Sequence, residues 1–366
     1  MNLYKNDPRV VLTLDAGGTN LVFSAMRGCE RIGEAFHLPT EAHDLEKCLG
    51  NIVEGMRHIS SQTDIPPVAI SFAFPGPADY RNGIIGDLPN FPSFRGGVAL
   101  GPYLSRKFGL PVFINNDGNL FAYGEAMYGS LPDINRRLEE AGSSKRFHNL
   151  IGVTLGTGFG AGVVVDGTLL RGDNDCGGDI WCFRNKYSPS LIVEESVSIR
   201  AVKRYYAEKS GDGRDLTPYD IFKIAEGQAE GDREAAIYSF ECLGHAAGDA
   251  LAAMLTVVDG LIVIGGGIAG ARKYFMPALL SELRSELSMV DGRHLPRLQM
   301  SVCDLNDESA FAGFAEGAET LLRIPGTDES VVYDSCKRSG ILISDYNTSR
   351  IISAGAYIYA LNHLDK

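Results

Sequence analysis

Short apolar runs that stop at glycine set the rhythm of this chain. Residues 10–14 (VVLTL) and 21–25 (LVFSA) read as two strands, and Asp15-Ala16-Gly17-Gly18-Thr19-Asn20 reads as the turn between them. Residues 44–61 read as a helix. VAISFAFPGP (68–77) reads as a buried strand ending at Pro75-Gly76-Pro77. PVFINND (111–117) reads as another strand that ends on an acid, and GNLFAYGEAMYG (118–129) as the helix after it. From Thr154, TLGTGFGAGVVVDG repeats the order of strand, glycine turn, strand. Laid over TLDAGGTNLVFSAM from Thr13, it shares Thr-Leu, one Gly and a Val. The shared pattern predicts two related halves, each presenting a glycine turn to a cleft between them. A third glycine cluster, LIVIGGGIAG (261–270), follows an alanine-rich helix (243–257) and marks a strand ending just before a new helix. Stretches 138–148 and 208–216 read as surface loops, and the charge run RRLEEAGSSKR as a solvated face. Residues 349–364 (SRIISAGAYIYALNHL) carry apolar residues at helical spacing. They predict an added helix packed on the small domain or across a dimer, in preference to a lid.

Composition narrows the class. The chain has 366 residues, 45% hydrophobic and 22% charged, enough for two domains of a globular protein. Its apolar stretches are too short or too interrupted to cross a bilayer, and MNLYKNDPR has no signal-like apolar core. A cytoplasmic location is the expectation. Seven dispersed cysteines without a C-x-x-C pair fit a reducing compartment. The net charge of −12 disfavours a nucleic-acid partner, while glycine-turn amides can still hold a small anion.

Glycine turns expose clustered N–H groups and let a ligand approach the main chain, which suits phosphate oxygens. Asp15 beside such a turn would repel phosphate unless Mg²⁺ lay between them. Two equivalent turns and a third glycine cluster together favour nucleotide binding over plain hairpins with a capping acid. No G-x-x-x-x-G-K-[ST] is present, so a P-loop is excluded. Residues 265–270 match G-x-G-x-x-G. That match comes late and lacks an acid at the end of the next strand, Asp304 lying too far on, which disfavours a dinucleotide fold.

With these motifs in order, the chain from about residue 10 to 320 resembles the ROK family of sugar kinases and repressors. LDAGGTN resembles the family's first phosphate motif, and FPGPAD with LPNFPSF its sugar-loop region. INNDGNLFAYGEA resembles its catalytic segment, TLGTGFGAGVVVDG its second phosphate motif and VIGGGIA its adenosine motif. The resemblance implies an α/β, two-domain, actin-like ATPase fold of the hexokinase type, with a cleft between duplicated halves. The domains expected are 1–117, which residues 349–366 would complete, and 118–348. The resemblance further implies ATP and Mg²⁺ as cofactors, a small-molecule sugar as substrate, and a homodimer. Asp117 takes the general-base position, accepting the proton of the attacking hydroxyl, O6 of a hexose or hexosamine. A purely structural role for Asp117 would be to cap the helix starting near Gly118. Gly76, Asn90, Asn116 and Glu194 match sugar-binding positions. For the asparagines the plainer role is a turn. Asp15, Gly17, Gly18, Thr19 and Asn20, with Gly156, Thr157, Gly158 and Gly160, match phosphate positions. Gly265, Gly266 and Gly267 would lie under the adenosine.

The sequence departs from the family at GGDIWCFRNKYSPSLIVEESVS (177–198), where the usual Gly-Glu-x-x-His and a cysteine-rich zinc loop are missing. Asp179 stands in place of Glu and Cys182 in place of His. No structural zinc is expected, since Cys176 and Cys182 have no partners nearby in sequence, and both are expected to be small buried residues. Asp179 and Cys182 would reshape the pocket near the sugar's C1 and C2. Trp181, the chain's one tryptophan, is either a core aromatic or part of the sugar pocket. Residues 304–322 resemble the family's closing helix. Three functions were weighed: a sugar kinase; a non-catalytic sugar sensor or scaffold, kept in view by the altered loop; and a DNA-binding repressor. About nine residues before the first phosphate motif, and the acidic charge, disfavour the last.

Overall fold

A computed structural model describes residues 4–17, 19–76, 78–86 and 91–366. The chain opens with β1 (Val10–Ala16), β2 (Asn20–Arg27) and β3 (Glu30–Pro39), then α1 (Leu45–Ser61) and β4 (Pro67–Ala73). A short hairpin, β5 (Ala78–Asp79) and β6 (Ile84–Ile85), leads to α2 (Leu100–Phe108), β7 (Val112–Asn115), α3 (Asp117–Met127) and α4 (Ser130–Glu140). The second half begins with β8 (Leu150–Leu155), β9 (Phe159–Val165) and β10 (Thr168–Leu169). It continues through α5 (Ile199–Ser210), α6 (Pro218–Ala225), α7 (Arg233–Val258), β11 (Leu261–Gly265) and α8 (Arg272–Leu283). It ends with β12 (Glu286–Ser288), β13 (His294–Pro296), β14 (Ser301–Asp304), α9 (Glu308–Glu316), β15 (Glu319–Arg323), β16 (Ser330–Asp334), β17 (Arg338–Ile343) and α10 (Thr348–Leu364).

The chain divides into two compact units. One holds residues 1–132, 162–178 and 345–366, and the other residues 133–161 and 179–344.

In the first unit a five-stranded sheet has the order β3-β2-β1-β4-β7. β1 and β2 pair antiparallel across the glycine turn, while β4 lies parallel to both β1 and β7. The central strands are buried on both faces, which explains their unbroken apolar runs. α1 starts at Asp44, whose side chain accepts the Lys47 N–H, and buries Cys48, Ile52, Met56 and Ile59. α10 packs along α3 at very short range. A methyl group added at Gly124 would meet the Ile351 carbonyl at 2.3 Å, and one at Gly355 the Leu120 carbonyl at 2.1 Å. Only glycine lets the two backbones lie this close.

In the second unit the parallel core is β8-β11-β17-β14. The long α7 packs against α8 and α5. The closing helix expected over 304–322 forms only in part, as α9. Asp304 ends a strand, α9 stops at Gly317 with φ 64°, and Glu319 starts the hairpin β15–β16. β3 is a strand the sequence pattern hides, because its residues are nearly all exposed or half-exposed. Among the described residues no helix is long and apolar enough to cross a membrane.

Candidate active site

The first glycine turn leaves the sheet at Asp15, exposed at the end of β1. Its shape is fixed by backbone bonds: the Gly17 N–H donates to the Asn20 carbonyl at 3.0 Å. From the end of β3, buried Thr40 completes the support. Its hydroxyl donates to the Gly17 carbonyl at 2.6 Å and its N–H to the Thr19 carbonyl at 3.0 Å. Thr19 and Asn20 are exposed at the rim. Gly18 and Asn90, both candidates from the sequence, lie outside the described residues. Gly76 is exposed after β4, and a methyl there would stand 3.0 Å from the Tyr80 hydroxyl, which donates to the Phe74 carbonyl.

Asp117 is the first residue of α3. The helix is capped by Asn116 instead, whose side-chain oxygen accepts the N–H groups of Gly118 at 2.7 Å and Asn119 at 3.4 Å. The capping role considered for Asp117 therefore belongs to its neighbour, and the Asn116 amide NH₂ is left for another partner. Asp117 itself has an open face to solvent, yet protein surrounds its carboxyl closely enough to weaken hydration. This desolvation pushes the Asp117 pKa above the usual aspartate value. The Gly118 N–H, bonded at 2.8 Å, pulls it down, and the like charge of Asp15 pushes it further up. Beneath Asp117, buried Asn115 accepts the Asn116 N–H at 2.9 Å and an Asn119 side-chain N–H at 3.1 Å. Gly162 of β9 presses on the same place: a methyl there would sit 2.6 Å from the Gly118 carbonyl. Asn115, Thr40 and Gly162 are support residues that the sequence analysis missed. Only the glycine carries a local signal, as a small residue inside a strand.

In the second unit the turn Gly156-Thr157-Gly158 joins β8 to β9, with Gly160 already inside the strand. The Gly156 N–H donates to the Gly158 carbonyl at 3.1 Å. Beside this turn runs the third glycine cluster. Gly265 is in register with Thr154, and Gly266 has φ 92°; a methyl on it would meet the Leu155 carbonyl at 2.3 Å. Gly267 is exposed and opens a 3₁₀ turn over Gly267–Ala271 ahead of α8. The second and third glycine clusters are thus brought together.

Glu194 lies against the same turn. One carboxylate oxygen accepts the Phe159 N–H at 3.0 Å, and the other pairs with Arg200 at 2.8 Å. Two 3₁₀ turns, Ile180–Cys182 and Val193–Glu195, pack together and are tied by the Val193 N–H on the Phe183 carbonyl at 2.7 Å. Asp179 and Glu194 therefore belong to one small substructure. Burial pushes the half-exposed Asp179 carboxyl up, and the Trp181 indole N–H pulls it down. Trp181 is 42% exposed, which rules out the core reading. Cys176 and Cys182 are also exposed, not buried as expected; their thiols donate to the carbonyls of Asn174 and Asp179. Both sit in turns where the backbone, not an apolar core, surrounds them. Among the described residues no group of three or more His, Cys, Asp or Glu side chains could hold a metal ion.

The chain matches the family model described as "ROK family" over residues 11–318. It is similar to a crystal structure of glucokinase from Parabacteroides distasonis, with 61% identity, 99% of each chain covered and a TM-score of 0.92. An N-acetyl-D-glucosamine kinase of Photobacterium profundum is 26% identical over 275 residues, 70% of this chain and 83% of that protein. A glucokinase of Thermotoga maritima is 33% identical over 135 residues, 37% of this chain, and the match spans 38% of that protein's length. With its mixed α/β, two-domain actin-like fold and its glycine motifs in family order, this chain belongs to the ROK family.

Proposed function

We propose that this sugar kinase transfers the γ-phosphoryl group of ATP to O6 of a hexose or N-acetylhexosamine, with Asp117 as general base. The observation that carries the reading is the state of Asp117: a carboxylate at the start of α3, open on one face and with its pKa pushed up. A base whose pKa moves towards the working pH accepts a proton more readily, and such a group is typically worth about 10²–10⁴ in rate. Asp117 takes the hydroxyl proton as the sugar oxygen attacks the γ-phosphorus. Asn116, with its oxygen occupied as the helix cap, offers its NH₂ to a sugar oxygen. Gly76, Asn90, Asp179, Cys182 and Glu194 complete the sugar's surroundings. Asp15, Gly17, Gly18, Thr19, Asn20, Gly156, Thr157, Gly158 and Gly160 serve the phosphates, and Gly265, Gly266 and Gly267 the adenosine.

Asp15 fits a magnesium ion that arrives with the nucleotide. It is exposed, at a phosphate turn, and under repulsion from Asp117, and Mg²⁺ is commonly held by one or two carboxylates plus substrate phosphates. Bound there, the ion would neutralise phosphate charge. The reading also takes the protein to be a cytoplasmic homodimer, which light scattering and cell fractionation check.

The test is ADP release from MgATP against glucose, fructose, mannose, allose and the amino and N-acetyl hexoses, with Asp117→Asn in parallel. Turnover with one sugar that the variant loses by about 10²-fold or more supports the kinase and the base together. Equal turnover by the variant removes Asp117 from the mechanism. Silence across the panel, with ATP still bound, moves the reading to a sugar sensor.

A further inference from the structure

The turn Gly156-Thr157-Gly158 is held by one neighbouring segment, residues 194–200. The N–H of Ile199, the first residue of α5, donates to the Gly156 carbonyl at 2.8 Å. The Arg200 guanidinium lies 3.4 Å from the Thr157 carbonyl. The Glu194 carboxylate takes the Phe159 N–H from the other side and packs so tightly that a methyl on Gly158 would sit 2.5 Å from it. Every residue of the turn thus meets this segment.

The arrangement raises an electrostatic problem. A turn read as a phosphate site has a carboxylate directly against it, and Glu195 follows. Arg200 answers the problem by geometry. Its Nη2 bonds Glu194 at 2.8 Å and Glu195 at 2.7 Å, and its Nε bonds Glu195 at 3.1 Å. Arg204 adds a second cation, 3.6 Å from Glu195. Arg200 thus offsets most of the charge nearest the turn, since Arg204 is shared with Glu208 at 3.7 Å. Without Arg200 one negative charge is left beside the turn, and Glu194 is free to swing away from the Phe159 N–H.

We propose that Arg200 is a positioning residue for ATP: it neutralises Glu194 and aims it at the β8–β9 turn, without touching the nucleotide itself. The sequence alone gives Arg200 no signal, because it lies outside every motif. The inference rests on the reading of residues 156–160 as a phosphate site.

The experiment measures the KM for ATP, and kcat, in the wild type, Arg200→Met, Arg200→Lys and Gly156→Ala at low and high salt. Arg200→Met keeps the aliphatic stem and removes the charge. Its KM for ATP is expected to rise about tenfold, because an uncompensated carboxylate then repels the phosphates at short range. Its kcat at saturating sugar stays within about twofold, because Asp117 is untouched, while the KM for the sugar rises with that for ATP, since Glu194 is also read as a sugar residue. The rise shrinks at high salt, where the uncompensated charge is screened. Arg200→Lys restores the charge and recovers most of the affinity. An unchanged KM in Arg200→Met overturns the proposal. So does a rise that neither salt nor lysine reduces, since that describes a packing loss alone. Gly156→Ala tests the underlying reading separately, because nothing lies within 4 Å of its added methyl and Glu194 is left where it is. If it leaves the KM for ATP unmoved, the turn is not a phosphate site. If it raises the KM while Arg200→Met does not, the phosphate site stands and the role of Arg200 falls. Arg200 is half-exposed, and thermal melts confirm that each variant folds.

Discussion

Gly162→Ala should damage catalysis from a position that touches no substrate in the proposed mechanism. The added methyl would stand 2.6 Å from the Gly118 carbonyl, 2.7 Å from the Asn119 Cα and 2.9 Å from the Ala122 side chain. All three lie on the first turns of α3, directly after Asp117. Relief to the ordinary contact distance of 3.4 Å requires the Gly118 carbonyl to retreat by about 0.8 Å. The helix has nowhere to go, because α10 lies against its other side through Gly124 and Gly355. Overpacking of this kind typically costs about 1–3 kcal/mol of stability. A misplacement near 1 Å can cost about 10²-fold in rate, so kcat is expected to fall roughly 10- to 100-fold. The KM for ATP should hold within a few-fold, because the β8–β9 turn is not displaced. Calorimetry and steady-state kinetics read the two effects separately. Gly50→Ala is the control: nothing lies within 4 Å of its added methyl, it sits inside α1, and it should stabilise by about 0.5–1 kcal/mol with no kinetic effect. A Gly162→Ala enzyme that is less stable but turns over at the wild-type rate would show that α3 yields without moving the base. The link from this packing to catalysis would then be wrong.

Three further outcomes follow from the electrostatics. The acid limb of kcat/KM for the sugar should lie above the ordinary aspartate range, since Asp117 must lose its proton and burial holds its pKa up. Asp15→Asn removes a like charge, so the limb should move to lower pH; a pH–rate profile that does not move assigns the limb to another group. Saturating sugar should change the fluorescence of Trp181, the chain's one tryptophan, which is 42% exposed beside Asp179; an unchanged spectrum with the true substrate would place it outside the pocket. Glu282 is buried, and burial alone would raise its pKa, but Lys186 and His245 beside it bring it below the usual glutamate value. A depressed carboxylate stabilises above its unfolded pKa, and that contribution is lost as the pH falls through the folded value. Glu282→Gln should therefore cost about 2–3 kcal/mol at neutral pH, discounted for the partial exposure of Lys186 and His245, and should flatten the loss of stability below about pH 4. Urea melts across pH check this, and parallel curves for the two proteins would refute it.

What the sequence revealed, and what it hid, divides along the range of the interactions. Strand–turn–strand units at residues 10–25 and 150–165 were legible because burial on both faces forces an unbroken apolar run, and a tight reversal forces glycine. Both constraints act within about fifteen residues. β3 stayed hidden for the opposite reason: an exposed strand imposes no apolar pattern. The end of α9 was overrun because the residues after Gly317 in AEGAETLL are ones a helix tolerates, although the glycine itself is a local stop signal. The stop comes from Gly317, whose added methyl would meet the Arg338 guanidinium at 2.6 Å, from a strand about twenty residues on. At the site, motif residues were readable one by one, but their division of labour was not. Both Asn116 and Asp117 reach the Gly118 N–H, and Asn116 is the cap because it holds the extended backbone and also accepts the Asn119 N–H, which neither order nor composition encodes. Residue type left Trp181 open between the core and the pocket, and a 3₁₀ turn holds it outside the core. Thr40, Asn115, Gly162 and Arg200 complete the pattern. Thr40 and Arg200 lie outside every motif, Asn115 and Gly162 lie inside motifs without being among their singled-out residues, and three of the four act across the fold. An enzyme of this kind advertises the atoms proposed to meet its substrates and conceals the ones that aim them.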